Sequence, residues 1–322
     1  MSSSSELLSH APLPVAADCV STLYAGRLGL FQMVHCSGRE GVPRIAGSTR
    51  GYHILVPLAG AFVWHRDVGT PIFANSNSIV HVGSNDGYTV SHPVGEELSA
   101  AFWPRKAILD ELIGAAGDRM PASAPCSGDT QLELRKLVSV LQAAADDLEF
   151  EERAIAWLRT IHTPIRRDRT ISTKSMRTIG RAKEYLHAHF EERLSLSQIA
   201  DAVGVSPVYL TQLFRASEGI PLYRYHLDLR LNAALDRLPR CDDITLLALD
   251  LGFSSHSHFS TEFGRRFGIT PSDHRGTMRG ARAVAAKCSR RIDAVPLCTA
   301  RGGGPNLLAA WQFGQSEENR AP

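Results

Sequence analysis

The chain has 322 residues, of which 43% are hydrophobic, 21% charged and 7% aromatic, and this composition excludes a disordered, fibrous or disulfide-dense protein. No run approaches the roughly 18 consecutive apolar residues of a membrane span. The first ten residues, MSSSSELLSH, lack the basic and apolar regions of a signal peptide. Six scattered cysteines without a CxxC pair indicate reduced thiols, so we expect a cytoplasmic protein that contacts no membrane.

The formal net charge of +2 is divided unevenly along the chain. Residues 1–158 carry 11 Lys and Arg against 17 Asp and Glu, whereas residues 159–322 carry 24 against 16. This split indicates that a polyanion would bind the back half. Surface composition alone also produces such a split, so a motif is needed to decide between the two interpretations.

Short apolar runs separated by turn residues follow one another from Gly29 to Pro104. They are rich in β-branched and aromatic residues and recur about every ten residues, which predicts an all-β sandwich or small barrel. The predicted strands span residues 30–36, 53–58, 61–65, 78–82, 88–91 and 98–103. The Ser-rich residues 1–15 before them are expected to form a flexible arm.

Beyond Pro104 the apolar residues take helical spacing, and helices are predicted at 106–115, 131–148 and 151–161. Strands followed by helices predict an α+β fold for residues 16–161, with helices packed beside an antiparallel barrel. Residues 162–175 have little apolar content and are interpreted as a linker. Its arginines, Arg166, Arg167 and Arg169, are either phosphate contacts or part of a solvated surface.

The back half contains the same helix-turn-helix pattern twice. Ala200, Gly204 and Ser206 recur at an offset of 48 as Ala248, Gly252 and Ser254. The small Ala lets a second helix cross closely, the Gly ends the first helix in a left-handed conformation, and the Ser is expected to cap the next helix. One such pattern is weak evidence, but two copies with matching caps specifically predict a double helix-turn-helix domain over residues 176–278.

Residues 222–238, between the two units, are expected to form one continuous helix. Its length fixes the spacing of the two recognition helices, which must lie about 34 Å apart to enter successive major grooves on one face of B-DNA. Residues 279–322, with three consecutive glycines, are expected to form a disordered tail.

Residues 177–278 resemble the DNA-binding domain of the AraC/XylS family of bacterial transcription regulators. The second unit carries the closest resemblance, through Ile244, Ala248, Gly252-Phe253-Ser254, Ser257, Phe259, Phe263, Phe267-Gly268, Pro271-Ser272 and Arg275. Two positions depart from the family pattern: His274 stands where the family usually has Tyr, and Asp250 replaces a commonly basic or polar residue. The resemblance implies a sequence-specific activator in the bacterial cytoplasm. Its implied partners are double-stranded DNA, a second copy in a homodimer, and RNA polymerase.

The resemblance also assigns DNA-contacting positions on the two recognition helices. They are Val208, Thr211, Gln212 and Arg215 in the first unit, and His256, Ser257, Ser260, Thr261 and Arg265 in the second. Gln is suited to adenine and Arg to phosphate. Residues 177–279 hold 13 Lys and Arg against 12 Asp and Glu, so binding must depend on arginine placement, helix N-termini and flanking arms or on dimerisation more than on bulk charge. A metal site at His256 and His258 is not expected, because side chains two apart on a helix point in different directions.

The front half resembles the cupin-like sensor domain of the same family, which implies a small-molecule effector inside the barrel. The candidate effector residues are Arg44, His53, Trp64, Tyr88 and Trp103, and plain core packing is the alternative for each. Enzymatic cupins carry a His-x-His metal motif, whereas His53, His65, His81 and His92 occur singly here. No metal, cofactor or catalytic residue is therefore predicted.

Two alternatives to an effector-binding regulator stay open. One is a cupin-type metalloenzyme with a DNA-binding appendage, and the other is a constitutive regulator whose barrel only dimerises. Stoichiometric metal with turnover would favour the first, and the absence of any effector response would favour the second.

Overall fold

The computed structural model describes residues 19–37, 45–48, 51–66, 69–83, 87–113, 121–142, 147–161 and 172–289. Within these ranges the front half is a mixed sheet-and-helix domain, and the back half is helical. None of the helices in the described ranges is long and apolar enough to cross a membrane. The expected arm at 1–15, Arg44, the three linker arginines at 166, 167 and 169, and the tail beyond residue 289 lie outside the described residues.

The front domain contains every strand that the sequence pattern predicted, together with four more. The strands are β1 (Cys19–Ala25), β2 (Gly29–Cys36), β3 (Ile45–Ser48), β4 (His53–Ala59), β5 (Ala61–Arg66), β6 (Ile72–Asn75), β7 (Ser78–Val82), β8 (Gly87–Ser91), β9 (Glu97–Pro104) and β10 (Ser123–Pro125). They form two antiparallel sheets. Sheet A has the order β1-β2-β9-β4-β7-β10 and sheet B the order β3-β8-β5-β6. The described strands thus form two sheets and no closed barrel, so the barrel prediction is not confirmed.

The two faces of sheet A have different neighbours, as the period-2 alternation of strand side chains requires. Along β9, Leu98, Ala100 and Phe102 pack against helices, whereas Glu97, Ser99 and Trp103 line a cavity between the sheets. The helices are α1 (Lys106–Ile113), α2 (Gly128–Gln142) and α3 (Asp147–Ile161). The domain is therefore layered as sheet B, sheet A and helices, with the cavity between the two sheets.

The back half consists of seven α-helices within the described residues. They are α4 (Thr173–Ala188), α5 (Leu196–Val203), α6 (Pro207–Glu218), α7 (Leu222–Arg237), α8 (Ile244–Asp250), α9 (His256–Phe267) and α10 (Pro271–Ser289). The first helix-turn-helix unit is α5–α6, the second is α8–α9, and α7 is the predicted connecting helix. α7 contributes Tyr225 and Leu229 to the core of the first unit, and Leu227 and Leu231 to that of the second. α10 continues to Ser289, past the expected domain end at residue 278.

The turn of the first unit has the predicted glycine and serine roles. Gly204 ends α5 with a φ of 72°, and the Ser206 side chain accepts a hydrogen bond from the Tyr209 backbone N–H at the start of α6. In the second unit the expectation for Ser254 is wrong, because Ser255 caps α9 by accepting from the His258 N–H at 3.1 Å. The second turn is one residue longer, so the cap lies at an offset of 49 from Ser206.

Gly252 adopts the predicted left-handed conformation, with a φ of 78°. A Cβ atom there would lie 2.3 Å from the carbonyl oxygen of Glu191 and 2.8 Å from a guanidinium nitrogen of Arg230. Glycine is therefore required both by the backbone angle and by this close approach.

Candidate DNA-binding surface and sensor cavity

The first recognition helix, α6, has one buried face and one exposed face. Leu210 and Phe214 are fully buried, because α6 packs onto α4, α5 and α7. The four predicted contact residues Val208, Thr211, Gln212 and Arg215 are all exposed, and Val208 is 68% exposed. A helix that buries its apolar stripe and presents these side chains to solvent has the form needed to enter a major groove.

The second recognition helix, α9, is arranged in the same way. Phe259, Phe263 and Phe267 form its buried face. Of the predicted contact residues, His256, Ser257, Thr261 and Arg265 are exposed and Ser260 is half-buried.

Three side chains of α9, those of Arg265, His256 and His258, already have partners within the protein. Arg265 forms an ion pair with Glu262, which also accepts a hydrogen bond from Arg224 at 3.0 Å. A phosphate contact by Arg265 therefore competes with this carboxylate. His256 and His258 lie within hydrogen-bond distance of different serines, Ser260 and Ser254, at 3.4 and 3.3 Å. This agrees with the expectation that the two imidazoles point apart.

His274, one of the two departures from the family pattern, is buried beneath α9. Its Nε2–H donates to the Leu235 carbonyl at 3.0 Å, and burial lowers the pKa of the imidazole. The side chain thus connects α10 to α7 as a neutral donor. Asp250, the other departure, is exposed at the end of α8, where its carboxylate faces solvent.

The front domain docks on α7 through the turn between β6 and β7. Asn75 and Tyr225 exchange two hydrogen bonds, from the amide to the phenol oxygen at 2.9 Å and from the phenol to the amide oxygen at 3.1 Å. Asn77 donates to the Tyr225 carbonyl at 2.9 Å and accepts from the Asn232 amide at 2.8 Å. All four side chains are buried, so these bonds form away from solvent.

The helices of the front domain make further contacts with the second helix-turn-helix unit. Leu132 of α2 belongs to the hydrophobic core of that unit. Arg266 of α9 donates to the Cys126 carbonyl at 3.2 Å, and its backbone oxygen lies 2.3 Å from where a Cβ atom on Gly128 would be. Gly128 therefore permits the close approach of α2 to α9.

A cavity lies between sheets A and B. Its walls are Val34, Cys36, His53, Leu55, Phe62, Trp64, Val82, Tyr88, Val90, His92, Glu97, Ser99 and Trp103. The four described effector candidates, His53, Trp64, Tyr88 and Trp103, all contribute to this wall. Four of the five effector candidates thus lie around one cavity, and their contact with an effector stays a prediction.

The electrostatic character of the cavity is set by burial. The imidazole of His53 stacks on the Trp103 indole, with ring centroids 4.7 Å apart, and burial lowers the pKa of His53 to about 4. Burial raises the pKa of Tyr88 to about 12. Both side chains are neutral at physiological pH, and their rings provide largely apolar walls with few hydrogen-bonding atoms.

The remaining polar groups of the cavity, Cys36, His92, Glu97 and Ser99, were not among the predicted site residues. A signal for them exists, because Glu97 and Ser99 alternate with the apolar Leu98 and Ala100 in one strand. Polar residues at inward-facing positions of a strand indicate a binding site and not a purely hydrophobic core. The predicted strand began at residue 98 and so left Glu97 out.

Comparison with known proteins gives matches concentrated in the back half. A family profile described as "Helix-turn-helix domain" matches residues 199–277. The transcriptional regulator ArgR of Pseudomonas aeruginosa is 36% identical over 99 residues, which is 30% of this chain and 30% of ArgR. The transcriptional activator RhaS of Salmonella schwarzengrund is 24% identical over 237 residues, which is 70% of this chain and 85% of RhaS. The match to ArgR thus spans less than a third of its length.

Two solved structures are also similar. An AraC-type regulator from Chromobacterium violaceum shares 36% identity, covering 33% of this chain and 96% of that one, with a TM-score of 0.31. ToxT from Vibrio cholerae shares 14% identity, covering 77% and 97%, with a TM-score of 0.31.

Proposed function

This chain belongs to the AraC/XylS family of transcription regulators, and from that premise we propose that it binds specific DNA sites and responds to a small-molecule effector. The observation that carries the proposal is the pair of recognition helices, α6 and α9, held by a shared helix α7. Each recognition helix buries its apolar face, and of the nine side chains at the family's contact positions eight are exposed and Ser260 is half-buried.

Base recognition is assigned to the exposed side chains of these two helices. The Gln212 amide is suited to hydrogen-bond with N6 and N7 of adenine, and the methyl groups of Val208 and Thr211 to contact that of thymine. Arg215 holds a phosphate and fixes the register. On α9, His256, Ser257, Ser260 and Thr261 take the corresponding positions, with Arg265 toward the backbone once it leaves Glu262.

The effector site is assigned to the cavity between sheets A and B. Apolar and aromatic walls with a few polar atoms are typical of pockets for small molecules. Val82 at the end of β7 lines the cavity, and β7 begins directly after the turn that carries Asn75 and Asn77. An effector that binds more tightly when β7 occupies one of two positions would stabilise that position. Because the turn before β7 contacts α7, the effector would also change where α7 lies relative to the front domain.

Activation, pairing with a second copy and contact with RNA polymerase are the remaining parts of the proposal. They rest on the family membership alone. Sedimentation of the purified chain with and without DNA would test for the homodimer. The curated relatives ArgR and RhaS are regulators of transcription and not enzymes, so the metalloenzyme alternative gains no support.

The decisive experiment is selection of binding sites from random duplexes with the purified full chain, followed by footprinting. We expect two protected segments about one helical turn apart, about 10 base pairs centre to centre. A variant with Gln212→Ala and Thr261→Ala removes one outward side chain from each recognition helix and should lose the preference at both segments. The matched control is Arg153→Ala on α3, which should retain it. Enrichment of no common sequence would overturn the proposal.

The effector assignment is tested separately by a thermal-shift screen of small molecules. A ligand that stabilises the wild-type chain and not a Trp64→Ala variant would support the cavity as its site. Stabilisation that is equal in both would assign the ligand elsewhere.

A further inference from the structure

We propose that Cys36, His92 and Glu97 form a binding site for a divalent metal ion of the zinc class at one end of the cavity. Each residue offers one ligand atom, and these three atoms all lie within 4.8 Å of one another. Cys36 and Glu97 are both 4% exposed, and the side chain of His92 is 8% exposed. The cluster is thus enclosed within the domain, unlike a group of surface acids.

The strand register places these three side chains together. Cys36 at the end of β2 lies directly opposite Glu97 at the start of β9 in the antiparallel pairing. His92 follows the last residue of β8, and a short connection leads from it to Glu97. Two ligands therefore come from the paired ends of β2 and β9 in sheet A, and the third directly follows β8 of sheet B, so the backbone fixes their positions before any ion binds.

The carboxylate of Glu97 is already oriented by its neighbours. The Ser99 hydroxyl donates a hydrogen bond to Oε1, and Nε2 of His92 lies 3.1 Å from Oε2. Outer hydrogen bonds of the Ser99 kind fix ligating carboxylates at metal sites. A buried carboxylate also needs a compensating positive charge. A bound cation supplies it, and the His92 imidazole 3.1 Å from Oε2 is the alternative partner that the experiment must exclude.

The donor set selects the class of metal. A thiolate, an imidazole and a carboxylate are all zinc ligands, with bond lengths of about 2.3, 2.0 and 2.1 Å, which places tetrahedral ligand atoms about 3.5 Å apart. Magnesium and calcium prefer oxygen ligands alone and are disfavoured by the thiol. Three protein ligands leave a fourth position, which a water molecule or a donor atom of a small molecule in the cavity can take.

The test uses the full chain, stripped with a chelator and then titrated with zinc against a chromogenic competitor. We expect one zinc ion per chain. Substitution of cobalt(II) should give the charge-transfer band of a thiolate ligand and the visible bands of a tetrahedral site. The cobalt spectrum needs no substitution, so it remains informative even if a variant fails to fold.

Three variants, Cys36→Ser, His92→Gln and Glu97→Gln, should each weaken zinc binding by about tenfold or more. The matched controls are Cys126→Ser, which removes another buried thiol, and His65→Gln, which removes another imidazole of the same domain. Both should bind zinc as the wild type does. Absence of stoichiometric zinc, or a thiolate band that persists in Cys36→Ser, would overturn the inference. DNA binding is measured in parallel. The proposed DNA contacts do not include the metal ligands, so a loss of DNA binding would count against the proposed function and not against the metal site.

Discussion

Arg135 of α2 and Asp236 of α7 form an ion pair that joins the two halves of the chain. Nη2 of the guanidinium lies 2.6 Å from one carboxylate oxygen, and Nε lies 2.8 Å from the other. Arg135 is 1% exposed and also donates to the Leu58 carbonyl at 3.0 Å. One side chain thus connects sheet A, α2 and the helix that carries both DNA-binding units.

We predict that Arg135→Ala uncouples the two halves. Removing one partner of a largely buried ion pair leaves the other unpaired and costs about 3 kcal/mol. The variant should unfold at lower urea concentration, and its DNA affinity should no longer change when an effector binds. Equilibrium unfolding and fluorescence anisotropy with labelled DNA measure the two effects.

The control for this prediction is Arg153→Ala. Arg153 pairs with Glu149 on the surface of α3, with both side chains more than 40% exposed. Exposed pairs contribute roughly 0–1 kcal/mol, so this variant should resemble the wild type. Equal destabilisation by the two substitutions would contradict the coupling role of Arg135.

A second prediction concerns the phenol of Tyr225. Tyr225→Phe removes the hydroxyl that exchanges two hydrogen bonds with Asn75 and leaves the buried amide without those partners. The free energy of unfolding should fall by about 1–3 kcal/mol. Tyr223→Phe on the same helix is the matched control, because Tyr223 is 63% exposed and its hydroxyl remains hydrated. An unchanged stability in Tyr225→Phe would mean that the turn at residues 75–77 is not held by this contact.

The helix-turn-helix units could be predicted because their signals are local. A left-handed glycine, a cap and an apolar stripe all lie within about twenty residues, so Gly204, Ser206 and Phe214 were placed correctly. The contact between the halves could not be predicted in this way. Asn75 and Asn77 have the composition of an exposed turn, and they are buried because Tyr225 and Asn232, about 150 residues away, cover them.

The cavity was predictable only in part for a similar reason. Aromatic residues at alternating positions indicate an enclosed space, whereas the meeting of Cys36 with Glu97 depends on the register between β2 and β9. No local pattern encodes the pairing of strands that far apart in sequence. No metal site was predicted from His53, His65, His81 and His92, which occur singly in the sequence, and of these four only His92 belongs to the cluster.

A third prediction tests the cap of the second recognition helix. Ser255→Ala removes the acceptor for the His258 backbone N–H and should cost about 1 kcal/mol. Ser254→Ala is the control, since Ser254 precedes the cap and its hydroxyl contacts only the side chain of His258 at 3.3 Å in the bonds of the described residues. Thermal unfolding of both variants measures the difference. A larger loss in Ser254→Ala would place the cap one residue earlier.

A fourth prediction separates base contacts from phosphate contacts on α6. Gln212→Ala should weaken binding to the selected site by about 1–3 kcal/mol and relax the preference at one base pair. Arg215→Ala should weaken binding to all sequences and reduce the slope of log affinity against log salt by about 0.9. Anisotropy titrations at several salt concentrations, on the selected site and on single-base variants, distinguish the two. An unchanged salt slope in Arg215→Ala would remove Arg215 from the phosphate contacts.

The last prediction concerns the pH dependence of stability. His226 of α7 is buried and donates from Nε2 to the Phe190 carbonyl at 3.0 Å. Burial, and then the charge of Arg230, lower its pKa from 6.5 to about 4. Because the unfolded chain takes up this proton at higher pH than the folded one, stability is retained above about pH 6.5 and lost as the pH falls toward 4.

The variant His226→Gln retains an N–H donor but cannot be protonated in this range. It should therefore lose less stability than the wild type between pH 6.5 and 4, by up to about 3 kcal/mol at the acidic end. Burial also lowers the pKa values of His53, His187 and His274. The stability of the variant should therefore still fall as the pH is lowered, but less steeply than that of the wild type. Urea unfolding at pH 7, where the wild-type imidazole is neutral in the folded chain, provides the baseline. If the free energy of unfolding fell equally in the two proteins down to pH 4, His226 would be protonated equally in the folded and unfolded states.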